Sequence, residues 1–420
     1  MSYPNAASYR RVKWACYTTN ISMSVVGNLS PVLFLTFHEL YDISYTLLGL
    51  LVLINFFTQL VIDLIFSFFS HKFNIPLTVK LTPALTVAGL LVYALWPFFS
   101  PDTVYIGLVI GTVIFSLSGG LSEVLISPVI AAIPADDPDR EMSKLHSVYA
   151  WGVVGVILFA SVFLLVFHKE NWQWLALLCA VIPLVAFLLF CGTKLPRLDT
   201  PERVSGALSM LKNKQVLICV AAIFFGGAAE CTMAQWCSGY LEAALRIPKI
   251  WGDIFGVALF SVMLGLGRTL YAKRGRFPER VLLLGGIGAA ACYLIAALSG
   301  WPILGLLACA FTGFCVSMLW PGSLIVASSR VPNGGVFIYA LMAAGGDMGA
   351  AIGPQLVGVI TDATASSPTL VSLAETWSLA PEQLGMKLGM LVGMLFPLLG
   401  IAVYGYLVHG ASKSRSAQEM

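Results

Sequence analysis

The sequence predicts an all-α membrane protein with twelve transmembrane helices in two six-helix, pseudo-symmetric bundles. Three observations carry that expectation: bulk composition, the placement of basic residues and a faint internal repeat. Hydrophobic residues make up 58% of the chain and charged residues 11%, with a mean hydropathy of +0.86, so there is too little polar material for a soluble surface. A helix crossing a hydrocarbon core about 30 Å thick needs roughly 20 apolar residues, which gives this chain room for around twelve crossings and short connections. The net charge is only +3, and no Lys/Arg tract interleaved with aromatics marks a nucleic-acid surface, so no nucleic-acid partner is expected.

Clusters of Gly, Pro and charge punctuate the apolar runs. They place spans near 14–37, 44–69, 77–99, 103–133, 143–168, 172–193, 215–244, 252–272, 281–299, 302–329, 335–360 and 387–409. The first run is closely followed by a second and is read as a true span rather than a cleaved leader. With the N-terminus inside, twenty of the 24 Lys and Arg residues fall on inner connections, and only Lys169, Arg246, Lys249 and Lys387 fall outside. That asymmetry fits the positive-inside rule, so both termini are expected in the cytoplasm.

The longest internal polar stretch, Lys194 to Lys214, holds Pro196 and Pro201. It divides the chain into an N-terminal bundle (1–195), a cytoplasmic linker (196–214) and a C-terminal bundle (215–420). The halves echo each other. Gly120 to Pro128 (GLSEVLISP) in span four and Gly313 to Pro321 (GFCVSMLWP) in span ten share a Gly and a Pro at the same separation, and each precedes a Tyr-Ala, Tyr149-Ala150 and Tyr339-Ala340. Spans one and seven also end alike, in Phe37-His38-Glu39 and Tyr240-Leu241-Glu242. Weak internal symmetry of this kind marks repeated membrane bundles.

An ionisable residue at mid-bilayer costs about 2.5–3.5 kcal/mol on insertion scales, so those deep in spans are functional candidates. Glu123, Glu230 and His146 are the candidate proton-binding or coupling groups. Glu123 sits among small residues in span four, and Glu230 lies in GGAAECTMAQW of span seven. His146 opens span five and could exchange protons with Glu123. For each the alternative is a hydrogen-bonded packing residue. Asp347, in the GGDMG of span eleven, Arg268 at the end of span eight and Asp63 in span two are candidate gating residues; helix packing, inner-side anchoring and snorkelling are their alternatives. Asn28, Gln235, Trp236, Trp320 and Tyr149 are candidate contacts for a small-molecule substrate, because amides bind hydroxyls and an aromatic face stacks on C–H groups. Interfacial anchoring is the alternative for the tryptophans. The nine cysteines form no CxxC pair and have no neighbouring histidines at ligand spacing, so they read as small hydrophobes, and no metal or cofactor is expected.

At these residues the chain resembles the fucose:proton symporter family of the major facilitator superfamily. The resemblance rests on SGGLSEVLISPVIAAIP with Glu123, on Gly267-Arg268, on Trp320-Pro321, and on GGDMGAAIGPQLVGVITDA ending in Asp362-Ala363. It covers most of the chain and is loose in spans two, three and six. It implies the major facilitator fold, a bacterial cytoplasmic membrane and symport of a small polar solute such as a sugar with a proton or sodium ion, by a monomer in lipid. One departure stands out. Where the family's fucose permease carries an aspartate in span one, this chain has Pro31, with Asn28 and Ser30 nearby. Glu230 is the candidate to take over part of that role, and L-fucose itself is not the expected solute. Efflux of an amphipathic compound is the rival within transport, and a non-transporting signalling or scaffold protein is the rival outside it. No Ser/His dyad or paired metal set points to an enzyme.

Overall fold

The structure is a computed structural model, and it describes residues 9–69, 72–134, 138–196, 212–274, 276–331 and 335–418. Among them every regular element is helical. Ten helical segments are long and apolar enough to cross a membrane, and the number reaches twelve when each of two bent pairs is taken as one span. In chain order the spans are Arg10–Val32 with Phe34–Tyr41, Tyr45–Phe66, Ile75–Phe99, Pro101–Ala131, Ser147–Phe167, Lys169–Phe190, Lys214–Ala243, Lys249–Tyr271, Pro278–Leu298, Pro302–Arg330, Leu341–Ser366 with Pro368–Thr376, and Pro381–Ala411. Span numbers below follow this order.

Local chemistry sets the boundaries. Five α-helices start on a proline, at Pro138, Pro278, Pro302, Pro368 and Pro381, where the missing N–H costs nothing because first-turn donors lack helical acceptors anyway. Asn74 and Asn213 cap their helices by accepting from Leu77 N and Gln215 N at 3.2 and 2.9 Å. Span one bends by 45° just past Pro31, as expected where a proline removes one helical hydrogen bond and crowds the preceding turn.

The chain separates into two compact units, residues 1–41 with 54–204, and residues 42–53 with 205–420. The linker expected at 196–214 falls mostly outside the described residues. In the first unit, one core gathers Val12, Cys16, Phe66, Val79, Ile126, Val129 and Phe190 at the end that carries the N-terminus. A second, aromatic core joins Phe37, Tyr93 and Trp172 edge to face at 4.9–6.0 Å. Spans three and four meet through Gly89 and Gly111: a Cβ on Gly89 would lie 2.6 Å from Phe115 N. Membrane helices lack a water-driven reason to associate, and such small-residue contacts let their backbones gain dispersion contact instead.

The second unit uses the same device more heavily. Along span eleven, Gly345, Gly349 and Gly353 face Val220, Phe224 and Ala228 of span seven, and a Cβ on Gly349 would sit 2.1 Å from Phe224 O. Residues 42–53 join this unit because Asp362 of span eleven accepts from the amides of Tyr45 and Thr46, at 3.1 and 2.6 Å. Two unsatisfied donors at a helix start thereby gain a carboxylate cap.

Candidate functional site

In the second unit the site is built on a proline. Pro321 has no N–H, so the carbonyl four residues earlier, on Ser317, loses its helical donor. Span ten breaks there, one helix ending at Val316 and the next starting at Leu319. Arg268 of span eight takes up the freed acceptor, with Nε donating to Ser317 O at 3.0 Å. Its Nη2 donates to Glu230 of span seven, 3.1 Å from Oε1 and 3.4 Å from Oε2. The Glu230 side chain is 16% exposed and that of Arg268 42%.

Trp320 packs against the helices that carry Glu230 and Asp347. Its ring lies against Gly227, one turn before Glu230, and against Gly346, which precedes Asp347; a Cβ on Gly346 would fall 2.4 Å from the ring. Asp347 is buried, and Cys231 lies within electrostatic reach of Glu230, Asp347 and Arg268 together. Four residues flagged separately in the sequence thus share one neighbourhood. Isolated charges there would each cost a few kcal/mol, and pairing makes them tolerable.

The first unit arranges its groups differently. Span four's helix, Val104–Ala131, runs through Pro128 without a break. Glu123 is exposed on it and forms no hydrogen bond or ion pair to the described residues. Elsewhere on that helix, polar contacts tie span four to its neighbours. Ser116 Oγ donates to Asn55 Oδ1 at 2.6 Å, Gln59 Nε2 donates to the same oxygen at 3.1 Å, and Ser118 Oγ donates to Thr82 O at 2.7 Å. Asp63 is buried one turn beyond Gln59. Near span five, Asn28 Nδ2 donates to Ser24 O at 2.9 Å, and Ser24 Oγ donates to Tyr149 O at 2.9 Å. Tyr149 Oη is 3.7 Å from the position of a Cβ on Gly27. His146 belongs to the helix Pro138–Phe167, and its side chain lies outside the described residues.

Gln235 and Trp236 are buried in the second unit, Trp236 completely. The Trp236 indole N–H donates to Pro354 O at 2.8 Å, so the ring ties span seven to span eleven and presents no open face. Two groups escaped the sequence reading. One is the Asn55, Gln59 and Ser116 set, whose signal was an amide pair four residues apart in an apolar run. The other is Asp253, fully buried on a π-helical turn, Asp253–Ala258, a distortion that often accompanies function. Ser238 Oγ donates to its Oδ1 and Lys249 Nζ lies 3.5 Å from its Oδ2. Its position at the very start of a span hid it. Among the described residues, no group of three or more His, Cys, Asp or Glu could hold a metal ion.

A model of the Major Facilitator Superfamily matches residues 15–354, most of the chain. The chain belongs to the major facilitator superfamily. It is therefore an integral membrane protein of a transporter superfamily, and the expected fold is the one found. Solved major facilitator structures agree with it along nearly their whole length. A nucleoside transporter, NupG, is 10% identical with a TM-score of 0.73, covering 94% of this chain and 99% of its own. A D-xylose-proton symporter is 15% identical with a TM-score of 0.69, covering 93% and 97%. The E. coli fucose:proton symporter is 17% identical with a TM-score of 0.56, covering 94% and 99%. At these identities the likeness is one of fold. No curated protein matches the sequence.

Proposed function

We propose that this major facilitator protein is a secondary active transporter that carries a small polar solute of the sugar class together with a proton. Transport proceeds by alternating access, residues 1–195 rocking against 215–420. The observation that carries the reading is Glu123, a carboxylate in the second half of an unbroken apolar span, exposed and without a hydrogen-bond or ion-pair partner among the described residues. A carboxylate kept in that setting, at a cost a packing residue would avoid, is suited to gaining and losing a proton within a transport cycle. The names of two similar structures, a D-xylose-proton and a fucose:proton symporter, support the same pairing of solute and ion.

In this reading Glu123 is the coupling group, and His146 of span five is proposed to exchange protons with it. Arg268, Glu230 and Trp320 are the solute contacts proposed in the second unit, and Asn28 and Tyr149 those proposed in the first. The charge asymmetry of the sequence supports an orientation with both termini cytoplasmic, and the location proposed is the plasma membrane. The test is proteoliposome transport with Glu123→Gln. Counterflow that persists while pH-driven net uptake disappears supports proton coupling; uptake unchanged from the parent protein refutes it. Replacing a proton gradient by a sodium gradient in the same vesicles decides between the two ions.

A further inference from the structure

The guanidinium of Arg268 is only partly used. Arginine carries five N–H donors in a rigid fork. Here Nε is spent on Ser317 O and Nη2 on Glu230. Nη1 donates to none of the described residues. Arg–carboxylate pairs are frequently bidentate, with two parallel N–H bonds to the two oxygens. This pair instead brings both Glu230 oxygens to a single nitrogen and leaves the other arm open, on a side chain that is 42% exposed against 16% for its partner. The carboxylate is turned inward and the cation outward. Trp320, half-buried, packs its six-membered ring on Gly227, one turn before Glu230, and on Gly346.

We infer that the transported solute is an acidic sugar derivative whose anionic group docks on the open Nη1 edge of Arg268 while its ring lies against Trp320. The inference rests on the sugar-class reading of the proposed function and narrows it. The fork of an arginine is matched to carboxylate and phosphate and poorly matched to a neutral hydroxyl. Ser317 O and Glu230 hold the guanidinium in place beforehand, so little side-chain freedom is lost on binding. The charge balance has a consequence. A monoanionic solute moving with one proton carries no net charge, so its uptake follows the pH gradient and ignores the membrane potential.

The test uses the purified full-length protein in detergent and compares D-glucose, D-glucuronate, D-gluconate and glucose 6-phosphate by thermal shift and by tryptophan fluorescence. The expected result is stabilisation by one or both sugar acids at concentrations where glucose does nothing. Arg268→Gln should abolish that response, Arg268→Lys should weaken it at least tenfold, and Glu230→Gln should tighten it by releasing the second arm. A response to the phosphate alone supports anion recognition with a phosphosugar as the source. Stabilisation by glucose equal to that by the acids overturns the inference and leaves sugar transport standing. No response to any of the four overturns both. If Arg268→Gln is too unstable to purify, the conservative Lys variant and the Glu230→Gln gain still decide, since an arginine that only supports the fold predicts no gain.

Discussion

Spans four and ten carry the same spacing, Gly120 to Pro128 and Gly313 to Pro321, and only half of it is used alike. The glycines do one job: each lets its span approach the second span of its own half, Gly120 against Gln59 and Ile62, and Gly313 against Phe260. The prolines part company. Span four stays continuous through Pro128, whereas span ten opens at Ser317 and gives its freed carbonyl to Arg268. Three residues after the glycine, span four has Glu123 and span ten has Val316. One half therefore holds a carboxylate with no hydrogen-bond or ion-pair partner among the described residues. The other holds a pinned cation, suited to gripping.

The largest effect expected from this comparison concerns the glycines. A Cβ on Gly313 would lie 2.2 Å from Phe260 O, a backbone atom, whereas one on Gly120 would lie 3.0 Å from Gln59 O. Gly313→Ala must shift backbone, and overpacking of this kind costs about 1–3 kcal/mol. Gly120→Ala needs a shift of tenths of an ångström, which helix propensity largely offsets. Thermal unfolding in detergent should fall by several degrees for the first and change little for the second. Equal losses would mean that the two contacts are equivalent and that the repeat extends further than the geometry indicates.

Next come the two glutamates. Glu230→Gln leaves Arg268 without its counter-charge, and because the arginine is part exposed the cost should be roughly 1–2 kcal/mol rather than the larger value of a fully buried pair. The double variant Glu230→Gln, Arg268→Gln should recover much of it. Glu123→Gln should leave stability unchanged, since it breaks no pair seen in the structure. A melting temperature that drops as far for Glu123→Gln as for Glu230→Gln would place a structural partner on Glu123 and weaken its assignment as the coupling group.

The contrast between the prolines predicts a smaller change. Pro321→Ala restores an N–H that can return to Ser317 O, so the arginine loses an acceptor and its position loosens. Solute binding should weaken several-fold, about 1 kcal/mol for one hydrogen bond, while Pro128→Ala leaves it unaltered. Binding that is untouched by Pro321→Ala would show that the break in span ten is not what sets Arg268.

These contrasts also show what could be read in the sequence. The spans were legible because membrane helices must be apolar over a fixed length, and the halves because basic residues and the Gly–Pro spacing repeat. Each member of the site in the second unit was visible alone, since an ionisable residue or a Trp-Pro in an apolar run is conspicuous. Their assembly was not. Arg268 and Glu230 lie on different spans, and the sequence put Arg268 at a span's end as a gate. Only the side-chain reach and the carbonyl opened by Pro321 bring it to Glu230. Trp236 and Trp320 look alike in sequence, yet one is fully buried and bonded to Pro354 O, and the other is half-buried on Gly227 and Gly346. Asn55 and Gln59 were overlooked because neutral amides raise less alarm than charges, although in lipid they equally need partners.

The smallest effect expected lies where the first unit has its own fixed charge cluster, away from Glu123. Glu141, before span five, accepts from Lys144 and Tyr17 and pairs with Lys13 at 2.9 Å. Hydrogen bonds from Lys144 and then Lys13 hold its carboxyl at about 2, below an ordinary value of 4.5. A carboxyl lowered by folding stabilises the native state fully above its unfolded value, and the benefit fades as pH falls from about 4.5 through about 2. Glu141→Gln should therefore lower stability at neutral pH by no more than about 1 kcal/mol, because its lysines are partly exposed. The gap between variant and parent should close steadily as the pH is taken from 5 towards 2. A gap that stays constant over that range would mean that Glu141 acts through packing rather than charge, and that the first unit keeps no ionic lock to set against the Arg268–Glu230 pair of the second.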